Sequence, residues 1–142
     1  MYKQQQVVVV MPAYNAEHTL LETYNGVMAQ GVVDHVVVVD DASRDGTAAL
    51  ARTLAGVSLH VHNRNKGYGA NQKTCYRLAL DHGADIVVMV HPDAQYTPAL
   101  LPAMVALIGN GLYPCVLGSR ILGGYALKGG MPWWKYVSNR WL

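Results

Sequence analysis

Charge is scarce in this chain. Only 14% of its 142 residues are Asp, Glu, Lys or Arg, and they leave a formal net charge of +2. So small an excess, with no run of Lys or Arg forming a stripe, gives no footing for a nucleic-acid surface, and no nucleic-acid partner is expected. Cysteine is nearly absent too. Cys75 and Cys115 have neither C-x-x-C spacing nor a histidine at metal-ligand distance in sequence, which argues against a disulfide framework or a structural zinc. They read as two buried small hydrophobes in a reducing compartment. No apolar run reaches the length of a membrane span. The opening Met1-Tyr2-Lys3-Gln4-Gln5-Gln6 is too polar for a signal peptide, so cytoplasmic residence is expected. Several chemistries are missing their signatures: there is no G-x-G-x-x-G after the first strand, no G-x-x-x-x-G-K-[ST] and no G-x-S-x-G. The acidic pair that a phospho-acceptor receiver needs after strand one is replaced by Pro12-Ala13-Tyr14-Asn15.

What is present is apolar and regularly interrupted. Half of the chain is hydrophobic, and its length suits one domain with a core of its own. Continuous β-branched runs predict strands at Val7–Met11, ended by Pro12, then at His35–Val39, Val57–His62 and Ile86–Val90, with a fifth around Cys115–Leu117. Helical patterns fill the gaps at about 16–28, 47–54, 70–82 and 98–108, with Gly31 and Gly83 as stops and Thr97-Pro98 as a start. This alternation predicts an α/β fold, a doubly wound, mostly parallel sheet with right-handed crossovers.

Four predicted strands end in polar clusters, and in a parallel sheet those ends share one edge, where ligands bind at the point of strand-order reversal. Asp41 or Asp40 is able to accept from the ring N–H of a nucleotide base, above a floor made by Tyr14 and the Pro12-Ala13 backbone. The pair serves equally well as a turn capping the next helix. Lys66 and Arg64 can offset phosphate charge, and Gly67 and Gly69 permit close backbone approach, although a solvated loop accounts for that segment as simply. Asp93 with Gln95 offers oxygen ligands to Mg2+ or Mn2+, which take one or two side chains plus phosphate oxygens and water. His91 is a further candidate ligand or ribose contact, and a plain turn before a helix competes with the metal site. His60 and His62 share a strand face with no third metal ligand in view.

Five stretches in order resemble the family 2 glycosyltransferases of the GT-A fold, including the dolichyl- and polyprenyl-phosphate hexosyltransferases: Val8–Glu17, Val39–Thr47, Asn65–Ala70, His91–Tyr96 and Gly118–Arg120. The resemblance implies a Rossmann-like nucleotide-diphospho-sugar transferase fold and an inverting, metal-dependent transfer of a hexose from a UDP- or GDP-linked donor to a polyprenyl phosphate or a growing glycan. It implies base and ribose contacts from Pro12, Tyr14 and Asp41, a backbone contact from Val39, and a phosphate or sugar contact from Arg120. With Ala13, Lys66, Gly67, Pro92 and Asp93 these make up the expected donor site. Asp93 matches the last acid of the family's Asp-x-Asp motif and Gln95 its usual follower, so these two are expected to hold Mn2+ or Mg2+. His91 stands where the first acid is expected. The family's catalytic base lies in sequence beyond Leu142, and no acidic residue follows Asp93.

Residues 1–122 are thus expected to form the nucleotide-sugar-binding domain. Residues 123–142 are expected to be a loop opening an amphipathic helix, the start of sequence not present here, with the GT-A domain cut short at its C-terminus. Trp133, Trp134 and Trp141 with Lys135 and Arg140 give that tail an interfacial character. They raise a second reading, a non-catalytic nucleotide-binding or membrane-associated assembly module, peripheral at the inner face of the membrane. A nucleotidyltransferase would carry a Gly-rich basic loop after strand one, which this chain lacks.

Overall fold

The valine run near the start of the chain forms the middle of the molecule. β1 (Val7–Ala13) lies between β2 (His35–Asp40) and β4 (Ile86–Met89), and β3 (Val57–Val61) pairs on the outer side of β2. The sheet is parallel throughout, in the order β3-β2-β1-β4. All of β1 is buried, because successive side chains of a central strand point to opposite covered faces. Val7, Val9 and Met11 enter one core, and Val8 and Val10 enter the other. The structure, a computed structural model, describes residues 1–119, 127 and 131–141, the last three as backbone only.

The helices divide as right-handed crossovers require. From β1 the chain steps outward through α1 (Leu20–Met28) to β2 and through α2 (Thr47–Thr53) to β3. Leu20, Val27 and Ala51 of these helices pack on one face of the sheet. The next step runs back past β1 to β4, so α3 (Tyr68–Asp81) must cross the other face, where Cys75 and Ala79 pack on Val8, Val10, Val37 and Val39. Thr97 caps a short 3-10 turn (Pro98–Leu100) by accepting from the Ala99 amide, and α4 (Leu101–Gly109) follows, with Leu101 and Val105 on the face of α1. This reversal of winding direction puts the topological switch point between β1 and β4. α5 (Trp133–Trp141) is helical, with Trp133 and Trp134 exposed. Among the described residues no helix is long and apolar enough to cross a membrane.

Three expectations need correction. Pro12 does not end the first strand, which continues to Ala13 in register with Asp40. The Val10 carbonyl faces β4, where it accepts from Val90, and the Ala13 carbonyl faces β2, where it accepts from Asp41. Pro12 therefore presents its missing donor toward β4, beyond the last ladder pair Val10↔Met89. The first helix begins at Leu20 rather than Ala16, because residues 16–19 close a tighter turn, with the Thr19 amide donating to the Ala16 carbonyl, held against the next loop by the amides of Ala16 and Glu17 on Thr47 Oγ1 and Asp45 Oδ2. The fifth strand is absent: residues 115–117 carry no ladder, Leu117 stands 88% exposed, and Cys115 is exposed rather than buried because no paired strand draws it into the core. Arg120, the glycine pairs at 123–124 and 129–130 and the expected boundary at 122 lie outside the described residues.

Candidate functional site

The carboxyl ends of the strands carry the polar clusters to one edge, and hydrogen bonds between the loops fix how they meet. Asn15, at φ 50°, donates its amide to Ser43 Oγ at 2.8 Å and accepts from the Arg44 amide at 2.9 Å through Oδ1. The Ala16 amide donates to Thr47 Oγ1 at 2.8 Å, and the Gly46 amide to Glu17 Oε2 at 2.9 Å. The loop after β1 is thereby stitched to the loop after β2, with Tyr14 half-exposed at its tip. Asp40 is buried and turns inward on its own loop, accepting from the Ser43 amide and hydroxyl. Asp40 is thus a buried carboxylate closing its own turn, not the solvated cap of the next helix. Asp45 caps the start of α2 through the Thr47 amide and hydroxyl. Desolvation pushes its pKa up, but the donors from Thr47 and Glu17 together outweigh this and hold it below the ordinary 3.8.

Asp41 faces the opposite way, toward the loop after β3. Its Oδ1 accepts from His62 Nδ1 at 2.7 Å and from the Lys66 amide at 2.9 Å, and its Oδ2 accepts from the Gly67 amide at 2.9 Å. Burial is the largest single influence on this carboxyl and would raise its pKa. The Lys66 amide, the His62 ring and the Gly67 amide together outweigh it, and the pKa lies below the ordinary 3.8. Asp41 is therefore an ionised acceptor at the N-terminus of α3, where a negative charge also suits the helix dipole. His62 continues the contact inward, with Nε2 3.1 Å from Thr74 Oγ1 of α3. On the same helix Asn71 donates to the Val39 carbonyl at 3.1 Å, and its Oδ1 is buried with no hydrogen-bond partner among the described residues.

The corner after β4 approaches from the other side. Tyr68, next to Gly67, stacks on His91 and places its hydroxyl 3.1 Å from His91 Nε2. Tyr96 tilts toward the same imidazole at 6.4 Å. Thr19 donates to the Pro92 carbonyl, which ties this corner to the start of α1. Asp93, Ala94 and Gln95 form an exposed turn in which Asp93 Oδ1 accepts from the Gln95 amide at 3.0 Å and Ala94 sits at φ 56°. Burial and the neighbouring charges of Tyr96, Tyr76 and Asp93 raise the Tyr68 pKa above 10.0. Among the described residues no group of three His, Cys, Asp or Glu side chains can hold a metal ion. One carboxylate, one amide oxygen and one imidazole suit Mn2+ or Mg2+ only as a partial set that needs a ligand's own oxygens to complete it.

The loop residues of the expected donor site thus share this edge, apart from Arg120, which lies outside the described residues. The site also contains side chains that the spacing did not single out. Thr74 and Asn71 sit in a helix with no sequence signal to mark them. His62 was visible only as one of two histidines on a strand. It does share that face with His60, their rings meeting edge to face at 5.3 Å.

The glycosyl transferase family 2 model matches residues 8–137. The chain belongs to that family. Among its curated family relatives, an undecaprenyl-phosphate mannosyltransferase of Micrococcus luteus is 32% identical over 84% of this chain and 50% of its own length. A polyprenol monophosphomannose synthase of Mycolicibacterium smegmatis is 29% identical over 96% of this chain and 52% of its own. The chain spans about half the length of these curated relatives. Among solved structures, glucosyl-3-phosphoglycerate synthase from Mycobacterium tuberculosis, in complex with Mn2+, UDP and glucosyl-3-phosphoglycerate, superposes with a TM-score of 0.61. It covers 75% of this chain and 40% of its own, at 23% identity. That likeness concerns the fold, which is the GT-A transferase fold of this family.

Proposed function

We propose that this family 2 chain binds a nucleotide-diphosphate hexose, UDP- or GDP-linked, and serves an inverting transfer of the hexose to a polyprenyl phosphate or a glycan. The observation that carries the reading is the switch point between β1 and β4. It brings the Tyr14 loop, Asp41 and the His91–Gln95 turn to one edge, with Asp41 linked through Gly67 and Tyr68 to His91.

In this reading Pro12, Ala13 and Tyr14 form the floor for the base, the Val39 backbone and Asp41 contact base and ribose, and Lys66 and Gly67 line the diphosphate. Asp93 and Gln95, with His91 beside them, would hold Mn2+ or Mg2+ together with the diphosphate oxygens. Such an ion supplies charge neutralisation for the departing nucleoside diphosphate. Pro92 sets the corner that presents Asp93, and Arg120 is assigned to the donor phosphate or sugar by its match to the family pattern alone. The names of the curated relatives support a polyprenyl phosphate as acceptor. Calorimetry of the chain with UDP and GDP, with and without Mn2+, tests the reading. Binding of at least one of them, tightened by Mn2+, is expected, and a folded chain that binds neither removes it.

The second reading, a membrane-associated assembly module without catalysis, draws on α5, where Trp133 and Trp134 are exposed and Lys135 lies over the Trp134 ring at 5.7 Å. Flotation with anionic liposomes distinguishes the two: nucleotide binding without flotation leaves the first, and flotation without nucleotide binding leaves the second.

A further inference from the structure

We propose that His62 and Thr74 are positioning residues for the donor site, a buried relay that holds the Asp41 carboxylate with one acceptor position open to the nucleotide base. The inference rests on the reading of Asp41 as a base contact.

A histidine just past the end of an edge strand is costly to bury unless its ring nitrogens are paired. Here the His62 side chain is fully buried, so bulk water has no access to stand in for its partners, while that of Asp41 keeps a narrow 4% exposure. His62 Nδ1–H donates to Asp41 Oδ1, and Nε2 lies 3.1 Å from Thr74 Oγ1, whose hydroxyl is also 3.1 Å from the Ala70 carbonyl one turn earlier. Position and orientation of the imidazole are thus set from α3, and the imidazole in turn sets the carboxylate.

The acceptor count then becomes specific. A carboxylate offers roughly four acceptor positions. Oδ1 uses two of them on His62 and Lys66, and Oδ2 uses one on Gly67. One position on Oδ2 remains, and it can only accept. It suits a base edge that presents a ring N–H, as uracil and guanine do, and repels one that presents a ring nitrogen lone pair, as cytosine and adenine do. Without His62 an acceptor position on Oδ1 is vacated, the carboxylate is free to rotate, and the distinction between the two kinds of base edge weakens.

The test measures dissociation constants of UDP, GDP, CDP and ADP by calorimetry in Mn2+, beside melting temperatures, for the wild-type chain and three variants. His62→Leu removes both bonds. His62→Asn puts an amide nitrogen where Nδ1 stood, and Thr74→Val removes only the anchor of Nε2. His62→Leu is expected to weaken the better of UDP and GDP about tenfold and to bring its preference over CDP and ADP toward unity, the size of one lost buried charge-assisted hydrogen bond. Thr74→Val is expected to lose part of that preference, and His62→Asn to recover most of it. A relay that only supports the fold would lower the melting temperatures and leave the preference among bases unchanged, and that result overturns the proposal. Should His62→Leu fail to fold, Thr74→Val with a wild-type preference overturns it equally. Wild-type protein that binds none of the four nucleotides would remove the donor reading itself, and the relay with it. Failure of the relay alone leaves wild-type binding intact.

Discussion

Tyr68 and His91 lie face to face between the start of α3 and the end of β4, with ring centroids 5.4 Å apart at an interplanar angle of 28°. The Tyr68 hydroxyl is 3.1 Å from His91 Nε2. Its raised pKa keeps that hydroxyl protonated at neutral pH. His91 occupies the position where the family pattern has an acid, so this contact decides how the imidazole is presented beside Asp93. Tyr68→Phe keeps the stack and removes the bond. Binding of UDP in Mn2+ should weaken by about 2- to 10-fold, the effect of one hydrogen bond, at an unchanged melting temperature. Calorimetry and thermal melts check both, and an unaltered affinity would detach His91 from the site.

Asp93 is the only carboxylate on the corner after β4, and one of its oxygens is engaged by the Gln95 amide. With a single acid, metal binding through this corner has no substitute ligand of equal charge. Asp93→Ala should therefore abolish the Mn2+ enhancement of UDP binding while leaving the affinity in EDTA as it was. Titrations with and without the ion decide this, and a persisting Mn2+ response refutes the metal assignment.

Gly67 and Gly69 are two residues apart and should respond to alanine with opposite sign. Gly67 sits at φ 82° and ψ 163°, a region reserved for glycine that costs any other residue about 1–3 kcal/mol. Its amide is also one of the donors to Asp41. Gly69 lies inside α3 with open space around the place of a Cβ, where alanine should add about 0.5–1 kcal/mol through helix propensity. Urea unfolding midpoints should fall for Gly67→Ala and rise for Gly69→Ala.

At the opposite edge of the sheet His35 and His82 meet with ring centroids 4.6 Å apart, and His35 Nε2 lies 2.9 Å from Ser58 Oγ. Burial, and secondly the charge of His82, hold the His35 pKa below the ordinary 6.5. The unfolded chain therefore takes up this proton at a higher pH than the folded one, and stability falls as pH drops below 6.5 toward the folded value. His35→Gln should flatten the decline in urea midpoint between about pH 7.5 and about pH 5.5. A slope equal to that of the wild type would place the titrating group elsewhere.

The strands were legible because a buried parallel sheet writes itself as unbroken apolar runs. Val7–Met11 and Val36–Val39 are too short for a buried helix and too apolar for a surface loop, and four of the five predicted strands are present. The fifth failed at Cys115–Leu117 because an apolar segment becomes a strand only where a neighbouring edge pairs with it. The start of α1 was misplaced for a related reason. The amides of Ala16 and Glu17 are satisfied by Thr47 and Asp45 across a loop, and no local pattern reports so distant a partner.

From the sequence alone came the parallel sheet, the order of its elements along the chain and the placing of the Tyr14, Asp41 and Asp93 loops at the carboxyl ends of its strands, since periodicity and the handedness of crossovers are consequences of local chemistry. Tertiary structure decided what each acid does once it arrives. Asp40 and Asp41 are neighbours of the same kind, yet one closes its own loop and the other takes His62 and the amides of Lys66 and Gly67. That difference follows from the alternation of side chains at a strand end, and it becomes chemistry only when β3 and α3 bring their donors alongside.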